Sequence, residues 1–262
     1  MKKTGKKIAA LILCGMLAAA TFTGCGAENS GTAGAGTQEA DTQAAAEAVT
    51  ETTVEDTQVA EQTGAVTFTD DLGREVTVDN PQRVISLIAS YADIWYLAGG
   101  IDKLVATTNA TWTYFDLPLR EDIVNLGSSK ELNQEQLLAC EPDFVIASCG
   151  TDRNVELETF FEDTGINVAY FSVKSFDDYL RMLKICTDIT GCTDNYEEYG
   201  TKVAEEVDAA LARVDDTHPT VLYVRASGKS CKVKNSEGSV LGEMLANMGC
   251  MNIADSNESL LE

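Results

Sequence analysis

The chain has 262 residues, with 42 Asp and Glu against 19 Lys and Arg, for a net charge of −23 at pH 7. That length suits one large domain or two small ones, and the acidity argues against a nucleic-acid partner, which needs a basic surface. The single histidine, His218, argues against histidine-rich zinc or manganese sites and leaves little support for His-based catalysis.

The first 25 residues read as an export signal. Lys2, Lys3, Lys6 and Lys7 form a basic start, and an apolar run from Ile8 to Ala20 follows. The run is too short to span a bilayer. Gly24-Cys25 closes the segment, and small residues before a cysteine resemble the bacterial lipobox, although Phe22 stands where Leu is usual. On that reading Cys25 is diacylated, becomes the mature N-terminus and anchors the protein to the outer face of the cell membrane. Two acyl chains give stable anchoring where one does not. The alternative is an ordinary signal-peptidase cut after Ala20, which leaves Cys25 a free thiol.

From residue 26 to about 65 the composition is Gly, Ala, Thr, Gln and Glu, with no Lys, Arg or aromatic residue. Such a stretch cannot bury enough apolar area to offset its ordering entropy, so an acidic disordered tether is expected. Structure begins at Val66, where two alternating runs, Val66–Thr69 and Glu75–Val78, flank a turn at Asp70–Arg74 and predict a hairpin.

Strand and helix signals then alternate. Apolar runs at Val84–Ile88, Leu104–Thr107, Ile123–Leu126, Phe144–Ala147 and Val168–Phe171 are separated by helical patterns at Tyr91–Ala98, Gln134–Ala139 and Glu156–Thr164. Uninterrupted apolar strands between helices predict an α/β fold with a parallel sheet covered on both faces. The rhythm then breaks. One helix is predicted over Asp177–Ile189 and, after Gly191, another over Asn195–Val214. In the second, Tyr196, Tyr199, Val203, Val207, Ala210, Leu211 and Val214 mark one face for burial. A strand at Val221–Val224 and a helix at Val240–Asn247 follow. Six cysteines beyond residue 25 (Cys140, Cys149, Cys186, Cys192, Cys231, Cys250) have no C-x-x-C spacing. Disulfides and small buried thiols both remain open.

Three blocks, taken together, resemble the iron-siderophore/cobalamin family of ABC-transporter substrate-binding proteins, over Val66 to Ala254. They are TFTDDLGREVTVDNPQRVISL, LNQEQLLACEPDFVIAS and GSVLGEMLANMGCMNIA. The resemblance implies a two-lobed α/β protein, with a long helix between lobes and ligand in the groove between them. The expected organisation is a signal peptide (1–25), a tether (26–65), a first α/β lobe (66–175), linking helices (176–216) and a partial second lobe (217–262). The second lobe of such a protein needs as much chain as the first, so the reading here is of an incomplete lobe. The implied partners are an ABC permease, a small-molecule chelate and the membrane, with no resident cofactor and no enzymatic activity. The rival class is a surface adhesion or sensing protein on the same fold.

Ligands of open α/β sheets lie beyond the carboxyl ends of strands. The candidate ligand-binding residues are therefore Ser90 and Tyr91 after the first strand, and Asn109, Trp112 and Tyr114 in TTNATWTYFDLP after the second. Ser148, with Cys149 and Gly150, follows the fourth, and Arg225 ends the first strand of the second lobe. Aromatic faces suit a large planar ligand, and Arg225 suits its negative charge. Ordinary loop packing and a solvated strand end are the competing explanations. A haem reading would need a tyrosine ligand. Glu135 matches the family's permease-docking acid, though a Glu in a first helical turn is also favoured by the helix dipole. The resemblance places the family's partner acid beyond Glu262.

Overall fold

The computed structural model describes residues 64–226, 228, 230–257, 260 and 261. The signal segment, Cys25 and the tether up to residue 63 lie outside the described residues.

The chain opens with a hairpin of β1 (Val66–Thr69) and β2 (Glu75–Val78), paired antiparallel with Phe68 opposite Val76. Its turn is closed by Asp70, whose Oδ1 accepts from the backbone N–H groups of Leu72 and Arg74, both at 3.0 Å. Gly73 supplies the left-handed conformation there, at φ 79°. The Arg74 guanidinium pairs with the fully buried Asp70 carboxylate at 2.6 Å and lies 4.7 Å above the Tyr170 ring. It also donates to the Val168 carbonyl at 2.9 Å, so one side chain rivets the hairpin to the sheet behind it.

That sheet has five parallel strands in the order β5-β4-β3-β6-β7. They are β3 (Val84–Ser86), β4 (Leu104–Thr107), β5 (Val124–Asn125), β6 (Phe144–Ser148) and β7 (Val168–Phe171). Every residue of β3, β6 and β7 is buried. The strand period of two sorts these side chains onto opposite faces. Val84, Phe144, Ile146, Ala169 and Phe171 join one core cluster with Trp95, Met182 and Leu183. Ile85, Val145, Ala147, Val168 and Tyr170 join the other, with Leu137, Leu157 and Phe161. Both faces are thus covered by helices, and the uninterrupted apolar runs are explained.

The helices of this region are α1 (Ala89–Leu97), α2 (Ala110–Tyr114), α3 (Gln134–Ala139), α4 (Asp152–Val155), α5 (Glu158–Thr164) and α6 (Phe176–Thr190). Two differ from expectation. The helix expected over Glu156–Thr164 is α5, which starts at Glu158, and a further short helix, α4, precedes it across Leu157, which turns into the core at 1 % exposure. Helix α2 occupies a stretch expected to be loop, because Trp, Thr and Tyr are weak helix formers and its five residues carry little periodicity. It is pinned by the buried Thr107 and Thr111 hydroxyls, 2.9 Å apart.

After Gly191 (φ 75°), a helical run passes through α7 (Asp194–Tyr196), a π-helical turn (Glu197–Thr201) and α8 (Lys202–Leu211). It is shorter than the expected Asn195–Val214. The face expected to be buried is not: α8 has no buried residue, and Tyr199 and Val214 are exposed.

The last part holds β8 (Thr220–Val221), β9 (Tyr223–Ala226), β10 (Cys231–Lys234), α9 (Val240–Asn247) and β11 (Met251–Asn252). The strand expected at Val221–Val224 splits at Leu222, because its halves have different partners. β8 pairs parallel with β11, and β9 pairs antiparallel with β10. All six cysteines from Cys140 onward are free thiols, with Cys140 and Cys186 buried. Among the described residues, no helix is long and apolar enough to cross a membrane.

Candidate functional site

The strand order makes the site. From β3 the chain winds outward through β4 and β5, then returns to the other side of β3 for β6 and β7. The order reverses between β3 and β6, and the crevice that such a switch point forms outside the carboxyl ends of the strands is the general ligand position of open α/β sheets.

Ser90 stands exposed in the first turn of α1, directly after β3. Tyr91 beside it turns inward and is 5 % exposed. Its hydroxyl donates to the Phe171 carbonyl at 3.1 Å, accepts from the Val173 N–H at 3.3 Å and lies 3.4 Å from Ser148 Oγ. Burial pushes its phenol above the ordinary value of 10.0. Ser148 is buried as well, its Oγ accepting from the Gly150 N–H at 3.1 Å. Tyr91 thus ties the end of β7 to the segment after it beside Ser148, and the two buried side chains form the floor beneath this edge. Both expected contact residues are therefore buried at this edge, unlike Ser90.

The exposed wall is built on α2. Asn109 precedes the helix, with its N–H on the Gly127 carbonyl at 2.9 Å, which fixes the loop after β4 to the loop after β5. Trp112 and Tyr114 then project from a helix held by its buried Thr111, at 43 % and 78 % exposure. Two apart on the helix, they leave it on different sides and offer two exposed aromatic surfaces. Helix α2 packs against α1, so Ser90, Asn109, Trp112 and Tyr114 belong to one edge of one sheet.

Glu135 lies at the same edge, exposed in the first turn of α3 after β5. Asn133 caps that helix, its Oδ1 accepting from the Gln136 N–H at 3.1 Å. Arg225 belongs to a different sheet. It sits inside β9 in register with Lys232, because pairing with β10 carries the strand on to Ala226. The expectation that Arg225 follows a strand end is therefore corrected.

Sequence reasoning missed Asn154. Wholly buried, it accepts from the Ser148 N–H through Oδ1 at 3.0 Å and from the Tyr170 hydroxyl through its carbonyl at 2.9 Å. It holds the loop after β6 from behind, and an Asn in a polar stretch carries no signal of that burial. Among the described residues no group of three or more His, Cys, Asp or Glu is placed to hold a metal ion. What the edge offers a ligand is hydroxyl, amide and aromatic surface on a rigid floor.

The reversing strand order, with helices on both faces of the sheet, is that of an open, doubly wound α/β fold. The family model described as periplasmic binding protein matches residues 84–260, and the chain belongs to that family. A vitamin B12-binding protein of Vibrio campbellii is 30% identical over 142 residues, covering 53% of this chain and 48% of its own. Among solved structures, the periplasmic vitamin B12 binding protein of Vibrio cholerae aligns with a TM-score of 0.56 at 20% identity, over 66% of each chain. A siderophore binding protein bound to acinetobactin and ferric iron aligns with a TM-score of 0.58 at 16% identity, over 72% of this chain and 68% of that one. Identities this low carry the fold alone. The chain spans about half the length of the curated relatives it matches.

Proposed function

We propose that this chain is the extracytoplasmic substrate-binding component of an ABC importer, a binding protein and not an enzyme. Its cargo is an iron-siderophore, a cobalamin or a related metal chelate, and it passes that cargo to a membrane permease. The observation that carries the reading is the exposed Trp112–Tyr114 wall on the carboxyl edge of the sheet, with Ser90 and Asn109 beside it. Flat aromatic faces bind large conjugated or macrocyclic ligands through area and stacking. The names of the vitamin B12-binding and siderophore-binding relatives support the same class.

Glu135 is proposed as the docking acid for permease arginines. It is exposed at a helix start on the edge that carries the aromatic wall, and a rim charge changes partner association more than ligand affinity. Cys25 is proposed as the lipid attachment point, holding the exported protein at the outer face of the membrane.

A titration of cobalamin, haem and ferric siderophores against the full chain, followed by thermal shift, tests the ligand class. One of the three should raise the melting temperature, and Trp112→Ala should weaken its binding about tenfold, as loss of one stacking face does. No response from any of them, or an unaltered affinity in Trp112→Ala, would remove the basis of the proposal. Glu135→Lys should abolish uptake yet leave ligand affinity nearly unchanged. For Cys25, mass spectrometry of the cell-derived protein should find a diacylated N-terminal cysteine, and an unmodified start at Thr21 would exclude it.

A further inference from the structure

Helix α6 is only partly capped by its own sequence. Ser175 Oγ accepts from the Asp178 N–H at 3.0 Å, and Asp178 Oδ2 accepts from the N–H groups of Ser175 and Lys174 at 3.0 and 2.9 Å. This box leaves the N–H of Phe176, the first helical residue, without a local partner. A carboxylate from 67 residues away fills the gap: Glu243 of α9 accepts from the Phe176 N–H through Oε2 at 2.8 Å, in a part-buried contact.

Glu243 is presented rigidly. Gly242 beside it is buried against the backbone of Ser236, where an added Cβ would lie 2.6 Å from the carbonyl oxygen, so only glycine fits. Ser236 in turn is fixed by Asp255, which accepts from its N–H at 2.6 Å and its hydroxyl at 2.7 Å. At the other end, Phe176 lies three residues beyond Val173, whose N–H is held by the Tyr91 hydroxyl in the crevice floor. A short, stiff path therefore runs from Asp255 through Ser236 and α9 to the start of α6 and on to Tyr91. A negative side chain at a helix N-terminus is also favoured by the helix dipole, and a hydrogen bond to an ionised group is among the stronger ones.

We propose that Glu243 is a latch, a positioning residue that fixes the part of the chain after Thr220 against the floor of the crevice through the N-terminus of α6. The latch rests on the fold alone, so it stands even if the chain carries no cargo. Removing it frees the last part of the molecule to move relative to the five-stranded sheet, with each part intact.

Amide hydrogen exchange on the full chain, read residue by residue, tests this. In Glu243→Ala the Phe176 amide should exchange about tenfold faster, in line with loss of one charge-assisted hydrogen bond. Val145 and Ile146, in the centre of the sheet, should keep their wild-type rates. Glu243→Gln retains an acceptor but loses the charge, and should accelerate Phe176 less than Glu243→Ala does. Gly242→Ala keeps the carboxylate but forces α9 away from Ser236, and should reproduce the Phe176 effect. An unchanged Phe176 rate in Glu243→Ala would overturn the latch. Equal acceleration of Val145 and Ile146 would overturn it too, because Glu243 would then support general stability.

Discussion

The two α/β parts of this chain use similar elements and reach different degrees of burial. In the five-stranded sheet, β3, β6 and β7 are buried throughout, and large side chains such as Trp95, Phe161 and Leu87 have essentially no exposure. In the part after Thr220, Leu241, Met244, Met251 and Ile253 remain 44–56 % exposed. Local structure is sound in both. The helix α9 has its Ser239 cap, and β9 and β10 pair over four residues. What differs is the number of layers: a parallel strand is buried only when helices cover both faces of its sheet, and the two-stranded pieces here have no such cover among the described residues. Secondary structure is thus a local property, and burial a property of the whole assembly of layers.

The largest effect expected from a single change falls on Asp70, which joins hairpin to sheet. Asp70→Ala removes an acceptor of the Leu72, Arg74 and Tyr170 N–H groups and strips Arg74 of its buried partner. A cost of about 3–5 kcal/mol is expected from breaking a buried pair, measurable by denaturant unfolding. The same carboxylate sets an acid limit. Burial alone would raise its pKa, but the hydrogen bonds from Arg74 and Tyr170, with the Arg74 charge, hold it below the ordinary 3.8. Its contribution is therefore complete above pH 3.8 and is lost as the pH falls through the lowered folded value. Unfolding measured between pH 5 and pH 2 (on the order of that interval) should show stability falling at the acid end in wild type. Asp70→Ala should show less of that fall.

A matched pair of truncations sharpens the comparison between the two parts. Leu87→Ala, in the buried layer, should cost about 2–5 kcal/mol. Leu241→Ala, on the exposed face of α9, should stay within about 0.5 kcal/mol. Equal costs would mean that Leu241 is covered in solution, and the contrast would fail.

The fold was readable because the parallel strands announce themselves as unbroken apolar runs. Val168–Phe171 and Leu104–Thr107 appear in the structure at their expected bounds. The helices Gln134–Ala139 and Val240–Asn247 do too. Periodicity was a poorer guide where burial depends on distant chain. The stripe from Tyr196 to Val214 has the spacing of a buried face yet carries no buried residue on α8. Sequence position set Ser90, Asn109, Trp112 and Tyr114 just past their strands, as found, but not the direction of each side chain. Ser90 and Tyr91 are neighbours, and one faces solvent while the other holds the floor, a distinction set by how α1 rotates against β6 and β7. The roles of Asn154 and Glu243 left no trace at all, since each depends on a partner brought near only by the fold.

A smaller effect probes that floor. Tyr91→Phe keeps the ring in its core but leaves the Phe171 carbonyl and Val173 N–H without the hydroxyl between them. A loss of about 1–3 kcal/mol is expected, together with faster amide exchange at Val173. Exchange at Val173 that matches wild type would show that the hydroxyl does not organise the floor.

The most direct test of the account is where a ligand touches the molecule. Amide exchange of the full chain with and without cobalamin, haem or a ferric siderophore reads that footprint. Protection is predicted at Ser90, Asn109, Trp112 and Tyr114, on the carboxyl edge of the sheet, and none at Gln82, Gly100 and Lys103 on the opposite end. Protection at the opposite end, or at neither, would contradict the assignment of the carboxyl edge as the binding surface.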